Sequence, residues 1–98
     1  MIEYAPRATR QVAALRQHYE TLDRPAAVRA LLAALDEAER RIERNPAAGL
    51  PAPRPYPQLA RPEVAWIKAG RYWVSYTTAS PPVIAAVFFE TANIPGRL

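Results

Sequence analysis

Apolar and polar positions follow a strand rhythm in the C-terminal third of the chain and a helix rhythm in the N-terminal half. Residues 64–90 read as three short strands joined by two tight turns. The first, 64–69, stops at Gly70-Arg71, a plausible tight-turn pair. The second, 72–78, puts Tyr72, Val74 and Tyr76 on one face and the more polar Trp73, Ser75 and Thr77 on the other. Period two makes the first set the one expected to face a covering layer. After a turn at 79–82, residues 83–90 are almost all apolar, which predicts a central strand or one covered on both faces. Pro81 and Pro82 mark its start and shield that end from pairing.

Upstream the period changes to that of a helix. Within residues 7–22, Ala8, Val12, Leu15, Tyr19 and Leu22 fall at steps of four and three, one stripe on one helix face. Pro6 suits the first turn, where its missing N–H goes unused. His18 lies outside the stripe and is expected to be exposed. The pattern breaks at 21–24, where Asp23 is a candidate cap and Pro25 fits the first turn of the next helix. Val28, Leu31, Leu32, Leu35, Ala38 and Ile42 then form a second stripe. Two helices joined by so short a loop should lie antiparallel. Residues 2–4, apolar-polar-apolar, predict a short opening strand. Residues 45–62 hold six prolines and one glycine and predict an extended connector from hairpin to sheet. The tail, 91–98, with Pro95 and Gly96, should be irregular.

The predicted order is therefore β-α-α-β-β-β. It implies an α+β fold in which an antiparallel helical hairpin packs on one face of a mostly antiparallel four-stranded sheet. At 98 residues, positions 1–98 should form one domain with one modest core.

Charge adds a bias towards partners. The formal net charge is +4, and one lysine accompanies twelve arginines. That favours an anionic partner, nucleic acid or an acidic protein segment. The competing explanation is a GC-rich genome, since alanine and proline are also abundant. Asp36–Arg40 and Glu37–Arg41 are acid-first pairs that support the second helix. Arg40, Arg41 and Arg44 also suit the negative end of its dipole, and they form a candidate basic contact site. The chain has no cysteine and one histidine, which removes disulfides and argues against a metal cofactor. It has no phosphate-binding glycine loop and no nucleophile elbow. No apolar run approaches a membrane span, and MIEYAPRATR is not a signal sequence, so a cytoplasmic location without membrane contact is expected.

The order of elements, Asn45-Pro46-x-x-Gly49, Gly70-x-Tyr72-x-Val74-x-Tyr76 and the ending Val87-Phe88-Phe89-Glu90-Thr91-Ala92-Asn93-Ile94-Pro95-Gly96-Arg97-Leu98 together resemble the RelE/ParE superfamily of toxins from bacterial type II toxin–antitoxin systems. The resemblance implies one of two activities. RelE-like members are ribosome-dependent mRNA endoribonucleases that use cations on an open sheet face. ParE-like members poison DNA gyrase by protein contact. Lys68 matches one of the nuclease's basic positions, with Arg71 and Arg97 as further catalytic candidates. Trp73, Phe89 and Thr91 stand where the nuclease pattern has an arginine, a histidine and another basic residue. The resemblance therefore points to the ParE-like branch. A cognate antitoxin is the expected partner, gyrase the expected target and the ribosome the alternative. Operator DNA would be reached only through the antitoxin, and a non-toxic corepressor is a further alternative. The antitoxin would be acidic and amphipathic, folding as it binds. Arg40, Arg41, Arg44, Trp73, Phe89, Asn93 and Arg97 are the expected contact residues for target or antitoxin. Trp73 is expected as an exposed anchor on the open face, whereas Trp66 and Phe88 read as core.

Overall fold

In the computed structural model, which describes residues 2–97, the chain begins with a strand of two residues, β1 (Glu3–Tyr4). It continues through α1 (Pro6–Thr21), α2 (Pro25–Arg44), β2 (Val64–Ala69), β3 (Tyr72–Thr77), β4 (Val83–Phe89) and one last turn of helix, α3 (Ile94–Arg97). The strands form one four-stranded sheet in the order β1-β4-β3-β2. β1 runs parallel to β4, and the other two pairings are antiparallel. This is the α+β hairpin-on-sheet architecture that the sequence pattern predicts.

Both long helices start on proline at N1 or N2, with no side chain capping them. Asp23 does not cap α2; the N-cap is Arg24. Instead Asp23 adopts a left-handed φ of 53° just past the end of α1. Its N–H bonds to the carbonyl of Glu20, and the Arg24 N–H bonds to that of Tyr19. That pair of bonds is the Schellman arrangement, with aspartate where glycine is usual. It turns the chain back within three residues, so α1 packs along β4 and α2 against β2 and β3.

The layer between helices and sheet is the larger core. Leu31, Leu35 and Ile42 of α2, Ala8 and Tyr19 of α1, and Ile67, Tyr72, Val74, Tyr76, Ile84 and Val87 of the sheet share one buried cluster. Two residues of the predicted stripes are not in it: Leu22 and Leu32 are 50% and 44% exposed. Leu22 has already left α1, and Leu32 lies beside the buried row formed by Leu31, Leu35 and Ala38. The apolar run in β4 has a geometric cause. A register shift between Ser75 and Tyr76 leaves Ala85 without a partner on β3. The extra residue reverses the alternation, so Ile84, Val87 and Phe89 join the helix-side cluster while Ala86 and Phe88 join the other.

The face away from the helices is not open. The segment 45–62, expected to be merely extended, makes two 3-10 turns, Pro46–Ala48 and Pro57–Leu59, and bridges Leu50 to Trp66 by two backbone hydrogen bonds of 2.7 Å. It lies over the sheet from one side. The tail, expected to be irregular, closes from the other through α3, whose Ile94 is fully buried. Leu98, the end of the family-like motif, lies outside the described residues. Under this cover Trp66, Trp73, Ala86, Phe88 and Ile94 form a second cluster, with Leu50, Tyr56 and Leu59 packed on it. Trp66 stacks on Phe88 with centroids 6.3 Å apart. The large members contribute roughly 1.5–3 kcal/mol each by burial. The Trp66 Nε1–H is buried without an acceptor, a local loss of about 1–3 kcal/mol set against that packing.

At the outer edge of β4, beyond the two residues paired with β1, Gln11 of α1 accepts the Val87 N–H at 2.8 Å through its side-chain oxygen. No described helix is long and apolar enough to cross a membrane.

Candidate functional site

The β2–β3 hairpin brings Lys68 and Arg71 to the same end of the sheet as the last residues of β4. Register makes this unavoidable: Ala69 pairs with Tyr72, and Tyr72 pairs with Phe89. Gly70 takes a φ of 55°, which leaves the turn tight enough for Arg71 to reach across. Glu90 follows Phe89 and receives both cations. Lys68 Nζ lies 2.9 Å from one carboxylate oxygen, and Arg71 Nε lies 2.5 Å from the other. The hydrogen bond from Lys68, then that from Arg71, hold the Glu90 carboxyl below its ordinary pKa. Arg71 also stacks over Phe89 at 4.9 Å.

Two of the three catalytic candidates therefore come together, but on a carboxylate rather than around a free space. Arg97 is elsewhere, over the Phe88 ring at 6.0 Å. Lys68, Arg71 and Arg97 line three different clefts. In the sequence Glu90 stands out only as the end of a strand and as one position of the family-like ending. The signal that locates it is the hairpin register, which sets 68, 71 and 90 side by side.

Beside this cluster is a cleft of about 620 Å³ between the helical turn and the sheet end. Its floor is Tyr19, Tyr72 and Phe89, and one wall is the alanine run Ala26, Ala27 and Ala30. Small side chains there let the space persist, because nothing projects from α2 to fill it. Arg24, Arg29 and Arg71 stand around it, with Asp23 the one acid in the lining. Apolar within and cationic at the rim, the cleft suits a segment that carries both apolar and acidic side chains. Of the expected contact residues, Phe89 is here, half-buried under Arg71.

The others are scattered. Arg40 pairs with Asp36, and Arg41 lies 3.8 Å from Glu37 while donating to the Lys68 carbonyl at 2.8 Å. Both, with Arg44, are exposed on the last turns of α2. Asn93 is exposed just before α3. Trp73 corrects the expectation of an exposed anchor: it is 3% exposed, sealed in the second cluster with Arg54 at 5.7 Å over its ring. The alternation along β3 places Trp73 on the face away from the helices, as read, but the proline-rich connector that covers that face has no period to reveal it. Among the described residues, no group of three metal-ligating side chains comes together.

No protein-family model matches the chain, and no curated protein matches it.

Proposed function

We propose that the protein is the toxin of a bacterial type II toxin–antitoxin pair, of the ParE-like kind, which stops growth in the cytoplasm by gripping DNA gyrase and is neutralised by a cognate antitoxin. The observation that carries the protein-binding side of this reading is the closed second face of the sheet. A ribonuclease of the RelE-like kind needs free cations there to activate a 2′-OH and to stabilise the charge that develops on phosphorus. In this chain Trp73, Phe88 and Ile94 fill that face, and the nearby Lys68 and Arg71 are held by Glu90.

The amphipathic cleft beside Phe89 supports the partner half of the proposal. An acidic, amphipathic antitoxin segment would lay apolar side chains on Phe89 and the alanines and set carboxylates against Arg24, Arg29 and Arg71. Such pairing raises the association rate and is sensitive to salt.

Purified protein added to a gyrase supercoiling reaction should inhibit it. The same protein added to translating ribosomes should leave labelled mRNA intact. Codon-specific mRNA cleavage with supercoiling unaffected would replace this reading with the ribonuclease one. Inhibition of neither would leave a corepressor that binds antitoxin without being toxic.

A further inference from the structure

A second cleft, of about 360 Å³, opens between α1, the end of β4 and α3. Arg7 and Arg10 enter it from the first turns of α1, His18 from further along the same helix, and Arg97 from α3. Among the described residues, no carboxylate lines it. Arg7 and Arg97 share one aromatic ring, lying 5.9 and 6.0 Å from the centroid of Phe88. Arg7 also donates to the backbone carbonyl of Arg97, which ties the helix to the tail.

Several arginines elsewhere on the surface are neutralised locally. Arg16, Arg40, Arg41 and Arg71 each sit against a carboxylate, those of Glu20, Asp36, Glu37 and Glu90. Among the described residues, no carboxylate sits against Arg7, Arg10 or Arg97. Guanidinium groups brought together with no counter-anion repel one another, and an anion between them reverses the sign of that interaction.

We propose that this cleft binds phosphate. Three guanidinium forks match the several oxygens of a phosphate or diphosphate better than the single charge of a carboxylate, because each fork can take two oxygens. Gln11 lines the same space, and with its Oε1 committed to Val87 its amide nitrogen is a further, neutral donor. The volume equals that of roughly a dozen waters, so more than one phosphate group fits. The inference uses neither the Lys68–Glu90–Arg71 cluster nor the alanine-walled cleft, although Arg97 and Phe89 line this cleft and are also expected contact residues of the toxin reading.

The test is calorimetric titration of the full chain at low salt with inorganic pyrophosphate and, separately, with a single-stranded oligonucleotide. Saturable pyrophosphate binding is expected, weakened about tenfold by Arg10→Gln and about tenfold by Arg97→Gln. Arg10 is exposed, so its replacement leaves folding intact. Arg40→Gln, at a residue paired with Asp36 on another helix, should leave pyrophosphate binding unchanged. If the oligonucleotide displaces pyrophosphate, and Arg10→Gln lowers its salt slope by about one, the phosphate is that of a nucleic-acid backbone. If pyrophosphate binds and the oligonucleotide does not, the ligand is a free phosphate. The proposal falls if neither binds saturably, if Arg40→Gln weakens binding as much as Arg10→Gln, or if a hexaglutamate peptide displaces pyrophosphate as well as an oligonucleotide of equal charge.

Discussion

The hydroxyls of Tyr19 on α1 and Tyr72 on β3 lie 2.6 Å apart, buried between the helix layer and the sheet. Burial, then the bond to Tyr19, hold the Tyr72 hydroxyl above the usual tyrosine pKa. Each hydroxyl is the other's partner. Tyr19→Phe or Tyr72→Phe alone should strand the survivor and destabilise by about 1–3 kcal/mol, whereas the double variant should lose less than the sum. Urea denaturation of the four proteins of the cycle measures this. A double variant at least as unstable as the summed singles would show that the bond contributes nothing.

Glu90 gives a pH signature. Its folded pKa is depressed by Lys68 and Arg71, so its contribution is complete above the ordinary glutamate range and disappears as pH falls through the lowered value. Glu90→Gln should therefore melt lower than the parent above roughly pH 5, and the gap should close in stronger acid. Thermal midpoints across that range are the measurement.

Gly49 is required for space rather than for conformation, since its φ is −69°. A Cβ there would meet the Tyr76 hydroxyl and lie 2.8 Å from the Ala65 Cβ. Tyr76 cannot retreat, because it donates to the Pro46 carbonyl at 2.6 Å. Gly49→Ala would otherwise gain a few tenths of a kcal/mol from chain entropy; here it should lose about 1–3 kcal/mol. Denaturant midpoints decide the sign.

Trp73→Ala should act on stability, at about 3–5 kcal/mol, because it empties a sealed layer. Phe89→Ala, at the half-buried cleft floor, should weaken partner binding while the domain remains folded. Circular dichroism melts alongside partner affinity separate the two. A Trp73→Ala protein with a parental melt would place the ring outside the core.

What the sequence made legible and what it hid divide along a physical line. Periodic segments were readable: the stripe through Leu31, Leu35 and Ile42, and the alternation of Tyr72, Val74 and Tyr76. Aperiodic segments were not. Nothing in a run of prolines told that Leu50 would bond to Trp66, or that Ile94 would close over Phe88. The cation candidates suffered from the same blindness. Their charge was visible, but Glu90 between two of them came from strand register. Arg7, Gln11 and His18, four and seven residues apart in turn along α1, were visible only as a polar flank, since their common cleft also needs Arg97 from the far end of the chain.

The hydrogen bond from Val87 to Gln11 has a counterpart across the sheet. On the outer side of β2, Trp66 is taken by Leu50, the Lys68 carbonyl by Arg41 and the Val64 N–H by the Arg61 carbonyl. Among the described residues these bonds occupy part of each margin and shorten the template on which an extended peptide could lengthen the sheet. Edge-to-edge stacking is disfavoured for the same reason. Contacts made by side chains gain weight accordingly in how this molecule is recognised.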